Sequence, residues 1–457
     1  MPVARSKRGD ASNAGQSTSR RSSLFDRRDA SLSPLTSVPN TPEPLPPPIV
    51  VSGQVLEPTV VFESLWWWLV ERKKMDDARR AGRPSPWTQD EILQKGRFCN
   101  AYRVLDKTSQ FVVTDVIETG SQDALELLFR IVLFTSFNKI QTWKMLTEAF
   151  GELTWAEFDI HTYGEVLSAA SSRGQTLCTG AYMKIARQYE YRSNHMGHLQ
   201  LLQMLMEKLP PVLKGAKFAA DVYEEIAAFP GMAAFTTYQL MLSLSYSKLL
   251  NFNANDFVVP GPGASSGLAK MFGQSLKDAR AAVGKDIESD ILRHLVEHQR
   301  AYFARSNLEF PYLRDEGGHE HLLDVADFEH AVCETDKYAR EKYPEIEGTS
   351  ARTKIKRGFT ASDEKLPAQP RLPVAWKDPA RSKKRVRAGP IVVEKMYVCT
   401  KITDERPLER RARDGSKVEF LVWWYGYKEP TWEPERTIRK DAREIVETWL
   451  ETKAKRK

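Results

Sequence analysis

The chain has 457 residues, of which 41% are hydrophobic and 28% charged, and its formal net charge is +7. This composition is typical of a soluble globular protein with two or three domains. No apolar run reaches the ~18 residues of a membrane span, and the N-terminus lacks the apolar stretch of a secretory signal, so we expect neither a membrane protein nor a secreted one.

The positive charge is unevenly placed along the chain. Residues 1–55 carry a net +3, residues 56–350 a net −8, residues 351–390 a net +9 and residues 391–457 a net +3. A connector with a charge of +9 favours polyanionic partners such as DNA. A solvated linker without a partner explains the same charge.

Cysteine usage argues against disulfide-bonded and zinc-binding classes. Cys99, Cys178, Cys333 and Cys399 are scattered and form no CxxC pair, so we expect a reducing, intracellular environment and neither a metal site nor a cofactor.

The N-terminal half begins with a segment that is rich in Ser, Pro and Arg. Residues 1–55 cannot bury enough apolar surface to fold alone, so we predict disorder there. Residues 56–345 show helical periodicity, as in "DALELLFRIVLFTSF", where Ser121 is a candidate N-cap. Three consecutive tryptophans at 66–68 cannot share one helix face, and at least one of them is expected in the core.

The stretch "FCNAYRVLDK" supplies Asn100, Arg103 and Asp106 at i,i+3 spacing. On a helix these three side chains would share a face. An internal ion pair between Arg103 and Asp106 is one explanation. A polar pocket wall that reads a base edge or a phosphate is the other.

The stretch "NFNANDFVVPGPGASSGLAKMFG" interrupts two helical patterns with Gly261 and Gly263. A tight turn followed by a helix N-terminus can present backbone N–H groups to a DNA phosphate, with Lys270 adding a charge. This is the geometry of a helix-hairpin-helix element, which DNA glycosylases place beside a base-flipping pocket. An ordinary helix–helix turn uses glycines in the same way.

Further along, His294 and His298 stand at i,i+4, which is typical of a surface pair when no third ligand has matching spacing. "CETDKYAR" then clusters Glu334, Asp336 and Lys337. Such a cluster suits acid–base catalysis if it is buried, and surface ion pairing otherwise. The candidate catalytic residues are therefore Arg103, Asp106, Glu334 and Asp336.

These motifs run in order from "PSPWTQDEILQKGRFCNAYRVLDKTSQFV" to "DFEHAVCETDKYAR". Over residues 60 to about 342, they resemble the helical domain of the 5-hydroxymethyl-deoxyuridine DNA kinases and of the alpha-glutamyl/putrescinyl-thymine pyrophosphorylases. The resemblance implies a role in hypermodification of thymine in DNA. An Asp usual in that family after the "YQ" helix is replaced here at Ser243, and the resemblance implies impaired activity if that Asp is catalytic. The chain has no GxxxxGK[ST], so the kinase unit implied by the family name is not encoded here.

Residues 346–390 read as a Pro-broken, basic, disordered linker, and "RSKKRVR" at 381–387 is typical of a nuclear localisation patch. Residues 391–452 then change character. "IVVEKMYV", "KVEFLVWWYGY" and "TWEP" read as three strands, "DAREIVETWLE" reads as a helix, and residues 453–457 form a basic tail.

The order "VVEKM", "VEFLVWWYGY", "TWEP" and helix resembles a chromodomain of the heterochromatin-protein and Polycomb type. The resemblance implies that a histone tail adds as a strand and that an aromatic cage holds its methyl-lysine. Trp424 and Tyr427 match two cage positions, Glu429 is an acidic neighbour, and the third position falls at Ile391, which has no ring. Tyr397 and Trp423 are candidates to replace it, whereas Phe420 and Trp432 are expected in the core.

The sequence thus predicts a multidomain, nuclear protein. It combines a mainly α-helical, DNA-glycosylase-like domain with a small α+β chromodomain made of a three-stranded antiparallel sheet and a C-terminal helix. The expected partners are a methylated histone tail, H3 above all, and DNA, including DNA with modified thymine. The helical domain either modifies 5-substituted pyrimidines or reads them without catalysis. A chromodomain protein associated with a mobile element is a further alternative.

Overall fold

The structure is a computed structural model, and it describes residues 46–179, 193–361, 365–397, 399–408, 415–424 and 429–456. The described residues between 60 and 342, namely 60–179 and 193–342, are mainly helical, as the periodicity predicted. Their helices are α1 (Val60–Arg80), α2 (Glu91–Lys95), α3 (Lys107–Phe111), α4 (Ala124–Phe137), α5 (Ile140–Phe150), α6 (Ile160–Ser172), α7 (Asn194–Gly215), α8 (Ala219–Ala228), α9 (Ala234–Ser245), α10 (Pro262–Val283), α11 (Ile287–Arg305) and α12 (Val325–Lys342).

A short hairpin precedes these helices. Strands β1 (Ile49–Val51) and β2 (Gln54–Leu56) pair antiparallel, and a two-residue turn with positive φ at Ser52 and Gly53 joins them. Ile49, Val51 and Leu56 are buried. Predicted disorder up to residue 55 is therefore wrong for the hairpin, because its apolar side chains join the core of the helical body. A second hairpin, β3 (Leu313–Arg314) and β4 (Glu320–His321), lies between α11 and α12.

Helix α1 runs through the centre of the helical body. Trp66, Trp67 and Trp68 point in different directions, yet all three are buried, so other elements cover the helix on every side. Trp66 stacks on Tyr302 with ring centroids 4.8 Å apart. In α4, the N-cap is Asp123 rather than Ser121, and its carboxylate accepts the Leu125 amide at 2.9 Å.

Helix α12 packs closely on α10 because glycines face it. A Cβ built at Gly263 would lie 2.2 Å from the Cys333 sulfur, and one at Gly267 would lie 2.4 Å from the Val332 carbonyl oxygen. Only glycine fits at these two positions of α10. The close approach leaves polar side chains of α12 buried on two faces, one toward α10 and one toward residues 97–106.

The segment after α12 lies along the helical body. Trp376 packs beside Tyr246 with ring centroids 5.9 Å apart, Arg381 is buried, and Arg387 pairs with Asp221 at 3.1 Å. We call residues 365–397 the strap. The prediction of a disordered linker is corrected for these residues, because their arginines and aromatic side chains find partners on the acidic helical body.

The C-terminal region forms a three-stranded antiparallel sheet in the order β5 (Cys399–Pro407), β6 (Val418–Trp424) and β7 (Thr431–Pro434). Helices α13 (Glu435–Asp441) and α14 (Arg443–Arg456) follow. The sheet and helices share a small core that is separate from the main one and consists of Cys399, Ile402, Phe420, Val422, Ile438 and Val446.

Two expectations for this region are corrected. The strand predicted from residue 391 begins at Cys399, because Lys395 and the Met396 amide are instead bonded to Ala227 and Ala228 of α8. Trp432 is half-buried rather than in the core, and the Arg406 guanidinium lies 4.2 Å above its ring. Among the described residues, no helix is long and apolar enough to cross a membrane.

Candidate functional site: a polar cavity around Arg103

A cavity of about 270 Å³ opens between the loop before α3, the end of α4 and one face of α9. Its volume is near the lower end of small-molecule sites (~300–1,000 Å³), which suits a single nucleotide better than a larger ligand. Most of the residues that line it have polar side chains, although apolar atoms make up slightly more than half of its surface. The polar lining residues include Cys99, Arg103, Asp106, Gln239 and Ser243.

The loop that carries Arg103 is not the predicted helix. Residues Arg103–Leu105 form one 3₁₀ turn, and Asp106 stands in extended conformation before α3. The loop is held by long-range contacts: Arg72 donates to the Cys99 carbonyl at 2.9 Å, and the Arg103 amide donates to Asp327 of α12 at 2.7 Å. Asn100 and Asp106 still meet, because the Asn100 amide donates to Asp106 at 2.9 Å.

The Arg103 side chain bridges two helices at the cavity wall. One terminal nitrogen donates to the Gln239 amide oxygen on α9, and the other lies 3.3 Å from His330 Nδ1 on α12. Ser243 stands one turn after Gln239 and donates to the Gln239 carbonyl at 3.2 Å. The guanidinium and the amide together present the donors and acceptors that recognition of a base edge or a phosphate requires.

Asp106 lies beside His330, with Oδ2 3.5 Å from Nε2. Burial alone would raise the pKa of Asp106, but His330 and Arg103 outweigh it and hold this pKa below the ordinary value, so the carboxyl is ionised. Burial raises the pKa of the Cys99 thiol well above its ordinary value, and the nearby Glu334 and Asp106 charges add to this effect. In this arrangement the thiol is protonated, which is not the state of an activated nucleophile.

The other two predicted catalytic residues lie on different faces of α12. Glu334 accepts the Cys99 amide at 3.1 Å and Lys337 at 2.7 Å, so it stands behind the cavity wall. Asp336 is fully buried against α10, where it accepts Ser266 at 2.9 Å and pairs with Lys270 at 3.6 Å. The structure brings Arg103 and Asp106 into the cavity, places Glu334 behind it and separates Asp336 from it.

The residues predicted to bind a DNA phosphate have partners within the protein. The Gly261 amide donates to the buried Glu329 carboxylate at 2.9 Å, Gly263 packs on Cys333, and Lys270 is buried beside Asp336. A phosphate at this helix N-terminus would compete with Glu329. The geometry therefore favours the alternative explanation, a helix–helix turn that uses glycines for close packing.

Gln239, His330 and Cys99 were not selected from the sequence. Cys99 and His330 lie within motifs that the sequence did single out, but 230 residues separate them along the chain. The sequence pointed to Gln239 only weakly: it stands one helical turn before Ser243, a position that the family resemblance had singled out. Their convergence depends on how α9, α12 and the Arg103 loop pack, which local patterns do not encode.

A second candidate site lies at the end of β6. The rings of Trp424 and Tyr397 meet edge to face, with centroids 6.1 Å apart. Trp424 is oriented by its indole N–H, which donates to Thr431 Oγ1 at 2.7 Å. Ile391, the position assigned to a cage residue, instead lines a cavity between the strap and α8. Tyr397, one of the two residues expected to replace the missing ring at Ile391, thus contacts Trp424.

The remaining residues of this aromatic site are placed as follows. Tyr427 lies outside the described residues, and Glu429 is exposed. The Lys401 ammonium lies 5.1 Å over the Trp423 ring. Trp423 is therefore engaged by a cation of the protein itself, whereas the described ring contact of Trp424 is with Tyr397.

Comparison with known proteins supports the resemblance for the helical body. The sequence profile of the helical domain of 5-hmdU DNA kinase matches residues 59–348. A 5-hmdU DNA kinase of Bacillus phage SP10 is 24% identical over 293 residues, which cover 59% of this chain and 43% of that protein. The chain thus spans less than half the length of that relative. No solved structure matches the chain, and the DNA-glycosylase-like architecture stays a prediction.

Proposed function

Because the chain belongs to the family of the 5-hmdU DNA kinase helical domain, we propose that its helical body binds DNA at a 5-substituted pyrimidine and that the cavity around Arg103 receives this base. The observation that carries the proposal is the Arg103–Gln239 pair at the cavity wall. All residues that line this cavity fall within the matched region 59–348.

The chemistry of the wall fits such a ligand. A pyrimidine offers ring carbonyl oxygens and a ring N–H, and Arg103 and Gln239 supply the complementary donors and acceptor. Base extrusion from a duplex costs a few kcal/mol, least for a modified or unpaired base, and polar contacts in the cavity would offset part of that cost. Exposed basic side chains of the strap, such as Lys365 and Lys383, add positive charge that supports contact with the DNA backbone.

Binding is tested by fluorescence anisotropy with oligonucleotides that differ only in one base, 5-hydroxymethyluracil or thymine. We expect tighter binding of the modified oligonucleotide, and Arg103→Ala should weaken it by about 1–3 kcal/mol. Arg293→Ala is a matched control, because Arg293 is likewise partly buried but lies at a different cavity, where it pairs with Asp290. Equal affinity for both oligonucleotides, unchanged in Arg103→Ala, would reject the proposal.

Whether the bound base is also changed is a separate question. The Asp106–His330 pair provides a carboxylate and an imidazole beside the cavity, which are the groups that general acid–base catalysis uses. Mass spectrometry of nucleosides from DNA incubated with the protein and phosphorylated or hydroxymethyl substrates tests this. A new nucleoside that disappears in Asp106→Asn would establish a modifying enzyme, and its absence would favour a reader of modified DNA.

A second function is favoured by the Tyr397–Trp424 pair. We propose that the C-terminal sheet is a chromodomain-like module that binds a methylated lysine of a histone tail, which implies a nuclear protein. Two aromatic rings at an edge-to-face angle of 66° offer electron-rich surface to a weakly hydrated cation. Tyr397 is 57% exposed, so a ligand can reach it.

Titration with trimethyl-lysine and unmodified histone H3 peptides tests this module. Tyr397→Ala and Trp424→Ala should each weaken binding of the methylated peptide by roughly 2- to 30-fold. Trp423→Ala, which removes the ring already covered by Lys401, should have little effect. A chain that binds both peptides equally well, with no difference among these variants, would eliminate methyl-lysine recognition.

A further inference from the structure

Three side chains with metal-binding atoms converge at the cavity around Arg103. One atom from each of Cys99, Asp106 and His330 lies within 4.8 Å of the other two. Cys99 and Asp106 line the cavity, and His330 reaches them from α12. Thiolate, carboxylate and imidazole are the three ligand types that zinc takes in proteins. The Cys99 thiol is protonated in the metal-free arrangement, so zinc binding must displace that proton and release it to solvent.

His330 adds an independent observation. It is 6% exposed, yet its Nε2 forms no hydrogen bond. The Asp106 carboxylate oxygen, 3.5 Å away, is too distant for a good hydrogen bond. A buried polar atom without a hydrogen bond is costly, and here it is aimed at a carboxylate that lies within the same three-residue cluster.

We propose that Cys99, Asp106 and His330 bind a zinc ion, with its fourth coordination position open to the cavity. Zinc bonds of ~2.0–2.3 Å in tetrahedral geometry require ligand atoms roughly 3.3–3.6 Å apart. The cluster therefore has to contract by about 1 Å at its widest. Three protein ligands and one open position are characteristic of zinc sites that bind a substrate or a water molecule, as opposed to closed structural sites.

Metal binding has a defined consequence for Arg103. Coordination through Nε2 leaves the ring proton of His330 on Nδ1, which then can no longer accept from the Arg103 guanidinium 3.3 Å away. Arg103 must give up that contact and keeps its contact with Gln239. Arg103→Ala removes both the competing contact and a nearby positive charge, so this variant should bind zinc at least as tightly as the wild type.

The site is tested on the full-length protein by metal analysis and by cobalt substitution. After dialysis against a weak chelator with added zinc, the wild type should retain about one zinc per chain. Replacement by Co²⁺ should give the visible spectrum of a tetrahedral site with a thiolate charge-transfer band. Cys99→Ser should abolish that band, and His330→Ala should weaken zinc binding by at least roughly 10- to 100-fold.

Two matched controls separate this site from adventitious binding. Cys178→Ser removes a thiol elsewhere, and His298→Ala removes one member of the stacked surface pair with His294. Both variants should keep the cobalt spectrum. A wild type without stoichiometric zinc or a thiolate–cobalt band overturns the proposal, as does weaker zinc binding in Arg103→Ala. If zinc is bound, Asp106 and His330 are its ligands, and the open coordination position takes the place of the acid–base role suggested for that pair. DNA binding is measured separately by the oligonucleotide titration.

Discussion

The side chain of Asp336 illustrates how a charge predicted to act in catalysis can serve the fold instead. It is fully buried, with Lys270 Nζ at 3.6 Å, the Ser266 hydroxyl at 2.9 Å and Arg340 on the same helix as further partners. Two buried cations thus depend on one carboxylate. Breaking a buried ion pair costs far more than an exposed pair contributes, because an unpaired charge is left behind.

Asp336→Ala should therefore lower the free energy of unfolding by about 3–5 kcal/mol, measured by urea denaturation. Lys95→Ala breaks an exposed i,i+4 pair with Glu91 and should cause no measurable change. If Asp336→Ala were as stable as the wild type, the buried cluster would not hold α10 against α12.

A second residue-scale prediction concerns pH. Burial raises the pKa of the Asp327 carboxyl well above its ordinary value, and the charge of Asp324 raises it further. An acid with a raised pKa binds its proton more tightly in the folded state. The protonated Asp327 carboxyl therefore makes its full contribution to the free energy of unfolding below ~3.9, the pKa of Asp in the unfolded chain. This contribution declines as the pH rises through the pKa of Asp327 in the folded protein. The wild type should lose stability across this window.

Asp324→Asn removes the neighbouring charge but keeps an oxygen that can accept the amides of Ala326 and Asp327 at the start of α12. The variant should be more stable than the wild type at pH 7 and should show a flatter slope of unfolding free energy above pH 4. The exposed substitution Asp278→Asn serves as the reference. A slope that Asp324→Asn leaves unchanged would show that the two carboxyls do not interact.

At the scale of elements, helices were predictable where periodicity is strong, as in α4. The Arg103 loop was not, because its conformation depends on bonds from Arg72 and from Asp327, which is 224 residues away. Asn100 and Asp106 meet in the structure, but through an extended turn rather than a helix face. The cavity could thus be predicted in part, since Arg103 and Asp106 were found, whereas His330 and Gln239 required the tertiary packing.

The C-terminal strand assignment failed for a related reason. "IVVEKMYV" has the alternation of a strand, but Val392, Lys395 and Met396 form hydrogen bonds with α8, to Glu224, Ala227 and Ala228 respectively. Competition from the helical body therefore decides where the sheet begins. Tyr397 lies beside Trp424, whereas the chromodomain resemblance had assigned the third cage position to Ile391.

If the strap docks on the helical body, it should resist proteolysis more than a disordered linker would. Its basic run 381–387 is a good trypsin substrate when accessible, yet Arg381 is buried and Arg387 pairs with Glu224 and Asp221. Glu224→Ala should release this end of the strap and increase the rate of tryptic cleavage at 381–387 several-fold, as followed by mass spectrometry. The exposed neighbour Glu225 provides the control, since the Glu225→Ala variant should be cleaved by trypsin at the same rate as the wild type. Equal rates in all three proteins would mean that the strap does not dock in solution.

At the scale of the whole molecule, the chain contains two apolar cores of very different size. The larger includes the described helices from α1 to α12, the β1–β2 hairpin and strap residues such as Trp376. The smaller holds six buried residues between the C-terminal sheet and its helices. A small core contributes only a few kcal/mol, so the C-terminal module should be the less stable of the two.

Calorimetry of the full chain should therefore show two unfolding transitions rather than one. Phe420→Ala removes a ring that is 2% exposed from the smaller core, at a cost of about 3–5 kcal/mol, and should abolish the weaker transition while leaving the stronger one in place. Leu128→Ala, in the centre of α4, should lower only the stronger transition. A single transition that both substitutions shift together would show that the two cores unfold as one cooperative unit.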